Sequence, residues 1–298
     1  MPQLDIRFWA RKVFSATFGF LIYLYFRMNG DYRRVILRNL KLAFPYSQQA
    51  NVSQQTHQKR LTVLAKMSCH NLAAIFFDFI FGISSKTRYF WDGREEFAKL
   101  REQYPAGGII FAAGHLGSFS ALATLSAKEG IVLNLVARDL KAPILNKLWI
   151  KILSRGGNRV ISRKGGFNDL SARLKNGENI VIPFDQNVRR EFAVFVDWFG
   201  KPAATAKSVA LAALRQKAPI VVAGVIKDKE GFLALTKALS IEDIKENNLL
   251  SLDEKVQIIT ERAAKIYQEM IRLSPHEWWW FHRRWKTRPV GELENFYS

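Results

Sequence analysis

The chain has 298 residues, 48% of them hydrophobic, enough to build a sizeable core and to exclude global disorder. Its formal net charge is +19, so its surface attracts polyanions such as nucleic acid, anionic lipid, or an acidic protein or cofactor. Its single cysteine, Cys69, excludes an internal disulfide, and no Cys/His group has zinc-ligand spacing.

Residues 13–26 carry no charge and are rich in aromatics. Arg7, Arg11 and Lys12 precede them; Arg27, Arg33 and Arg34 follow. At ~1.5 Å per residue this run makes a helix of roughly 21 Å, short of the ~30 Å hydrocarbon core of a bilayer. No small-residue cleavage site follows, which argues against a signal peptide. Two readings stand: a monotopic or partly inserted anchor with snorkelling Arg and Lys, or a buried core helix. The basic flanks favour the anchor. The chain is therefore expected to divide into a membrane-anchoring helix over 1–30 and one domain over 31–298.

Residues 31–43 predict a helix that Pro45 stops, and the apolar stretch 61–83 predicts a pair of core helices. From about residue 105 short apolar runs alternate with helical patterns. Strands are expected at 108–113, 131–136, 159–162, 179–184, 192–198, 219–226 and 232–235. Helices are expected at 118–128, with Ser118 as N-cap and Gly130 just past the end, at 207–217, and at 256–270. In the last, Val256, Ile259, Ala263, Ile266 and Met270 share one face. The alternation predicts an α/β fold with a mixed, largely parallel sheet flanked by helices, and ligands at the strand ends.

Four constellations carry candidate chemistry. His115 lies in Gly114-His115-Leu116-Gly117-Ser118-Phe119-Ser120, between an expected strand and a helix. Its near-neutral pKa suits proton transfer; the bland alternative is a histidine bonded to backbone. Gly107, Gly108, Gly114 and Gly117 permit close approach by a ligand. The G-x-S-x-G elbow is absent, so Ser118 reads as a cap and not as a nucleophile. Next come Arg155, Arg159, Arg163 and Lys164 around a short strand with paired glycines at either end, a pattern that suits phosphate. It is not a Walker A loop. Asp185-Gln186-Asn187 follows a strand, a usual site position but also an ordinary turn. In 275–286, aromatics interleave with cations, which suits a membrane interface, cation–π stacking or single-stranded nucleic acid. His276 and His282 read there as structural.

In this order the four constellations resemble the late acyltransferases of lipid A biosynthesis, within the wider glycerolipid and lysophospholipid acyltransferases. The resemblance runs from about Arg33 to Arg288. Arg38-Asn39-Leu40 with Ala43-Phe44-Pro45 resembles the family's early segment, and His115 the start of its H-x-x-x-x-[DE] motif. Gly157 with Ile161-Ser162-Arg163 is similar to the superfamily's second block. Asp185-Gln186, the run from Val194 to Thr205, and the run from Trp279 to Lys286 resemble three further segments.

The resemblance implies transfer of a fatty acyl chain from an acyl-carrier protein or coenzyme A thioester to a hydroxyl of a lipid A precursor, lysophospholipid or related lipid. It implies no metal and no bound cofactor, and a chain seated on the cytoplasmic face of the bacterial inner membrane against an anionic surface. No nucleic-acid partner is expected. His115 would be the general base; Arg138, Arg159 and Arg163 would meet phosphate; Ser120 and Gln186 would contact substrate. The departure is Ser120, which stands where the motif has Asp or Glu. Either another carboxylate substitutes, Asp185 first and Asp139 next, or His115 works alone, or catalysis is lost and the fold serves as a lipid-binding scaffold.

Overall fold

The computed structural model describes residues 6–47, 52–83, 87–162, 166–229, 231–292 and 297. Three helices come first: α1 (Ile6–Met28), α2 (Gly30–Ala43) and α3 (Gln54–Phe81). The expected pair over 61–83 is one helix, because no Gly or Pro interrupts the run from Gln54 to Phe81. Ser53 caps its start by accepting from the Thr56 N–H, and Gly82, at φ +74°, ends it. α1 lies antiparallel along α3. Arg11 forks onto Asp78 at 2.5 and 2.6 Å at one end of the pair, and His70 Nδ1 meets the Ser15 carbonyl at 3.0 Å further along. The outer side of α1 is exposed, with Val13, Phe20 and Leu24 among the side chains facing out. The uncharged run is thus neither fully buried nor free of the domain.

The sheet-forming part follows as β1 (Arg88–Asp92), α4 (Arg94–Gln103), β2 (Ile110–Ala113), α5 (Phe119–Lys128), β3 (Leu133–Ala137), α6 (Pro143–Leu153), β4 (Arg159–Ser162), α7 (Gly166–Lys175) and β5 (Asn179–Pro183). Then come β6 (Ala193–Trp198), β7 (Lys201–Ala206), α8 (Ser208–Gln216), β8 (Ile220–Lys227), β9 (Gly231–Leu239), α9 (Glu242–Lys245) and α10 (Leu252–Leu273). Seven strands form one sheet in the order β1-β9-β8-β2-β5-β3-β4. The five from β8 to β4 are parallel; β9 pairs antiparallel with β8, so β9 and β1 run the other way. The fold is the expected mixed, largely parallel α/β sheet flanked by helices.

Strand alternation sorts the two faces. Ile110, Ala112, Val136 and Ile161 point to the layer that contains residues of α7, α8 and α10. Ile109, Phe111, Ala113 and Leu135 point to the opposite side, toward α4, α5 and α6. β2, covered on both faces, is an unbroken buried apolar run. The expected strand 192–198 does not join this sheet. It is β6, paired with β7 in a separate hairpin whose turn, Phe199 at φ +55° and Gly200 at φ +79°, suits the twist of a two-residue loop.

Candidate active site

β2 and β5 are neighbours and parallel, with Ala112 opposite Ile182 and Ala113 opposite Pro183. Residues just past their C-terminal ends therefore meet on one edge of the sheet, beside the point where strand order reverses. His115 follows β2 and Asp185 follows β5. His115 Nδ1 lies 2.9 Å from Asp185 Oδ1, and the His115 backbone N–H donates to Oδ2 at 2.7 Å. A third donor, Trp278 Nε1–H, reaches Oδ2 at 2.9 Å. The carboxylate side chain is 1% exposed and the imidazole 27%. The carboxylate is locked in the interior while the ring faces outward.

Two glycines make this geometry available. A Cβ on Gly114 would stand 2.3 Å from Asp185 Cγ, so only glycine lets the carboxylate approach the loop. Gly117, at φ +58°, would put a Cβ 1.8 Å from the Val225 carbonyl oxygen. At both positions the close approach that the sequence suggested is made by the protein itself, a side chain in one case and β8 backbone in the other.

The electrostatics agree with a coupled pair. Burial works against the imidazolium, but the charge and hydrogen bond of Asp185 outweigh it and raise the His115 pKa above the usual value. Burial likewise favours a neutral Asp185. The His115 charge, the bonds from His115 and the Trp278 indole outweigh that and hold the carboxyl below its usual range. With Asp185 accepting at Nδ1, the ring proton sits there and Nε2 carries the lone pair. Gln186 Nε2 lies 3.3 Å from it.

The structure thus brings together His115, Asp185 and Gln186. Ser120 is in the first turn of α5, its hydroxyl 3.1 Å from Ser118 Oγ, while both ring nitrogens of His115 have other partners. Ser118 holds the N-cap position but makes no side-chain cap bond. Asp139, exposed, accepts from Ser162 Oγ at 2.5 Å. Arg138 is exposed just past β3, on the same edge of the sheet as His115. Arg159 begins β4, which puts it at the opposite edge, where it meets Glu178 at 3.1 Å. Arg163 lies outside the described residues. Arg155 donates to the Phe79 and Ile80 carbonyls at 2.8 Å each, closing the end of α3.

The C-terminal aromatic run is where sequence reasoning fell short. Trp278, Trp280 and Trp285 are buried, and the Trp279 and His115 rings meet at a steep angle with centroids 5.8 Å apart. Glu277 accepts the Gly117 N–H at 2.9 Å through its carbonyl, and Leu116 bridges Trp278. His282 Nε2 accepts the Asn187 N–H at 2.8 Å, and Asn187 pairs twice with Thr287. Burial pushes the His282 pKa down to about 4, so it stays neutral as that bond requires. This segment holds both site loops in place. Of the three settings the sequence left open for this run, cation–π stacking is the one seen, with Arg284 over the Trp198 ring at 4.4 Å; the hold on the site loops was not foreseen.

A histidine backed by a buried carboxylate at the ligand-binding edge of an α/β sheet is an arrangement able to move a proton. The chain belongs to the bacterial lipid A biosynthesis acyltransferase family, whose model matches residues 4–287. It is 22% identical over 276 residues to lipid A biosynthesis acyltransferase 2 of Shigella flexneri, covering 91% of this chain and 82% of that protein. It is 23% identical over 264 residues to the lipid A biosynthesis acyltransferase of Haemophilus influenzae, covering 85% and 76%. It is 23% identical over 278 residues to the lipid A biosynthesis myristoyltransferase of Escherichia coli, covering 91% and 80%.

Proposed function

We propose that this acyltransferase moves a fatty acyl chain from a thioester, on acyl-carrier protein or coenzyme A, to a hydroxyl of a lipid A precursor at the cytoplasmic face of the inner membrane. The observation that carries the reading is the 2.9 Å contact between His115 Nδ1 and the buried Asp185. The acceptor hydroxyl takes the position of the Gln186 amide at His115 Nε2. His115 removes its proton as the oxygen attacks the thioester carbonyl; the C–S bond breaks, the ester forms, and the thiolate leaves and regains a proton. Asp185 orients the ring and offsets the charge of the imidazolium, as the carboxylate of other His–Asp pairs does. Gln186 and Arg138 contact substrate from the same edge. The scaffold alternative rested on Ser120 lacking charge; the Asp185 contact supports the catalytic reading over it.

The test is transfer of label from a radiolabelled acyl thioester to lipid A precursors and lysophospholipids by the purified protein. The expected result is labelled ester with the wild type and loss of it in His115→Ala. Transfer undiminished in His115→Ala would overturn the base assignment. Transfer to lysophospholipid alone would replace the acceptor.

A further inference from the structure

The strongest feature outside the site is an apolar face that the domain leaves uncovered. In α6, Pro143-Ile144-Leu145-Asn146-Lys147-Leu148-Trp149-Ile150-Lys151-Ile152-Leu153, the inward side chains are Trp149, Ile152 and Leu153. Outward, Ile144 is 83% exposed, and Leu145 and Leu148 are exposed as well. Lys141, Lys147 and Lys151 stand exposed among them. A water-facing helix gains nothing from such a row; apolar side chains interleaved with lysines suit a helix lying in a lipid headgroup layer.

The row continues onto α3 and α1. Trp149 packs on Phe79 with ring centroids 5.0 Å apart, and Phe77 packs on Phe14 of α1 at 5.3 Å. At about 100° per residue, Phe76 and Ile80 project between those two directions. Both are exposed, as is Phe18 of α1, which stacks on Phe14 at 4.2 Å. The face also borders the chemistry: Phe119 lies 5.7 Å from Phe79 and 6.2 Å from His115.

We propose that α6, the last turns of α3 and the Phe18 side of α1 form one surface that seats on an anionic bilayer, holding the His115 edge at the lipid. This deepens the proposed function and rests on its lipid acceptor, but its test reads binding and not turnover. Charge selects the occupant. A second copy would set the α6 lysines, on a chain of net charge +19, against themselves; anionic headgroups complement them while acyl chains receive Ile144, Leu145 and Leu148.

The experiment is flotation of the full chain with phosphatidylglycerol/phosphatidylcholine vesicles, beside acyl transfer to a detergent-dispersed acceptor. Leu145→Ser with Leu148→Ser should cut vesicle partitioning by roughly tenfold or more. Lys147→Glu and Lys151→Glu should each cut it by about fivefold or more on anionic vesicles and little on phosphatidylcholine alone. All of these positions are exposed, so melting and transfer to the dispersed acceptor should stay at wild-type values. Variants that float as wild type would overturn the proposal and assign attachment to α1 alone. A wild type that ignores vesicles also overturns it, as does a dimer that the leucine variant splits. Wild-type flotation without any acyl transfer would sink the enzymatic reading while supporting the face.

Discussion

The runs 155–162 and 278–288 both present closely spaced arginines, one framed by glycines and the other by tryptophans, and the fold uses them differently. Arg155 and Arg159 sit near the surface, one closing the end of α3 and the other pairing with Glu178 at the sheet edge away from His115. Arg284 is fully buried, its guanidinium 4.4 Å from the centre of the Trp198 ring, donating to the Ala204 carbonyl at 2.6 Å and to Thr205. The glycine-framed run resembles a phosphate cradle, yet its two described arginines are satisfied by protein. The tryptophan-framed run resembles a membrane belt, yet it is core, and it holds the site. What an arginine does depends on which acceptors the fold brings to it, and local spacing does not report those.

The comparison can be broken first at Trp280, fully buried and donating to the Pro275 carbonyl at 2.6 Å. Trp280→Ala should cost roughly 3–5 kcal/mol of stability by denaturant melting, and a loss under about 1 kcal/mol would return this segment to the surface. Trp278→Phe keeps an aromatic ring and removes one donor to a buried carboxylate. The turnover should fall roughly tenfold or more, and stability by about 1–3 kcal/mol for the donor lost from a buried carboxylate. Asp185, less satisfied, should hold the His115 proton more tightly, so the pH–rate inflection should move upward. On the proposed mechanism the wild-type His115 acts only when deprotonated. Because Asp185 raises its pKa, the rate should climb with pH through an inflection above 6.5; an inflection below 6.5 would mean the pair is not coupled as described. Smallest of all, Arg159→Ala should change stability by about 1 kcal/mol or less and turnover by no more than about twofold, since its ion pair is exposed. A large loss of turnover there would restore the cradle reading.

Much of this was legible in the chain. The strands that end at the site, β2 and β5, follow from short apolar runs, and α10 from its periodic face over 256–270, although the Ser251–Glu254 capping box that starts it four residues earlier was not read. The less legible elements lacked such patterns. β1, Arg-Tyr-Phe-Trp-Asp, is polar at both ends, and β7, Lys-Pro-Ala-Ala-Thr-Ala, is small and carries proline. For the site, each strand-end residue was visible alone. The adjacency of β2 and β5, separated in sequence by β3 and β4, was not, because register between distant strands is a property of the packed sheet. The role of Trp278 was hidden for the same reason: its partner Asp185 lies 93 positions earlier.

The most direct measurement compares the acyl-transfer rates of Asp185→Asn and Ser120→Ala. If the carboxylate of the pair comes from β5, Asp185→Asn should lose on the order of 10⁴-fold, the scale of the same change in other His–Asp sites, while Ser120→Ala stays within a few-fold of wild type. Near-wild-type transfer by Asp185→Asn, or collapse of transfer in Ser120→Ala, would contradict the account.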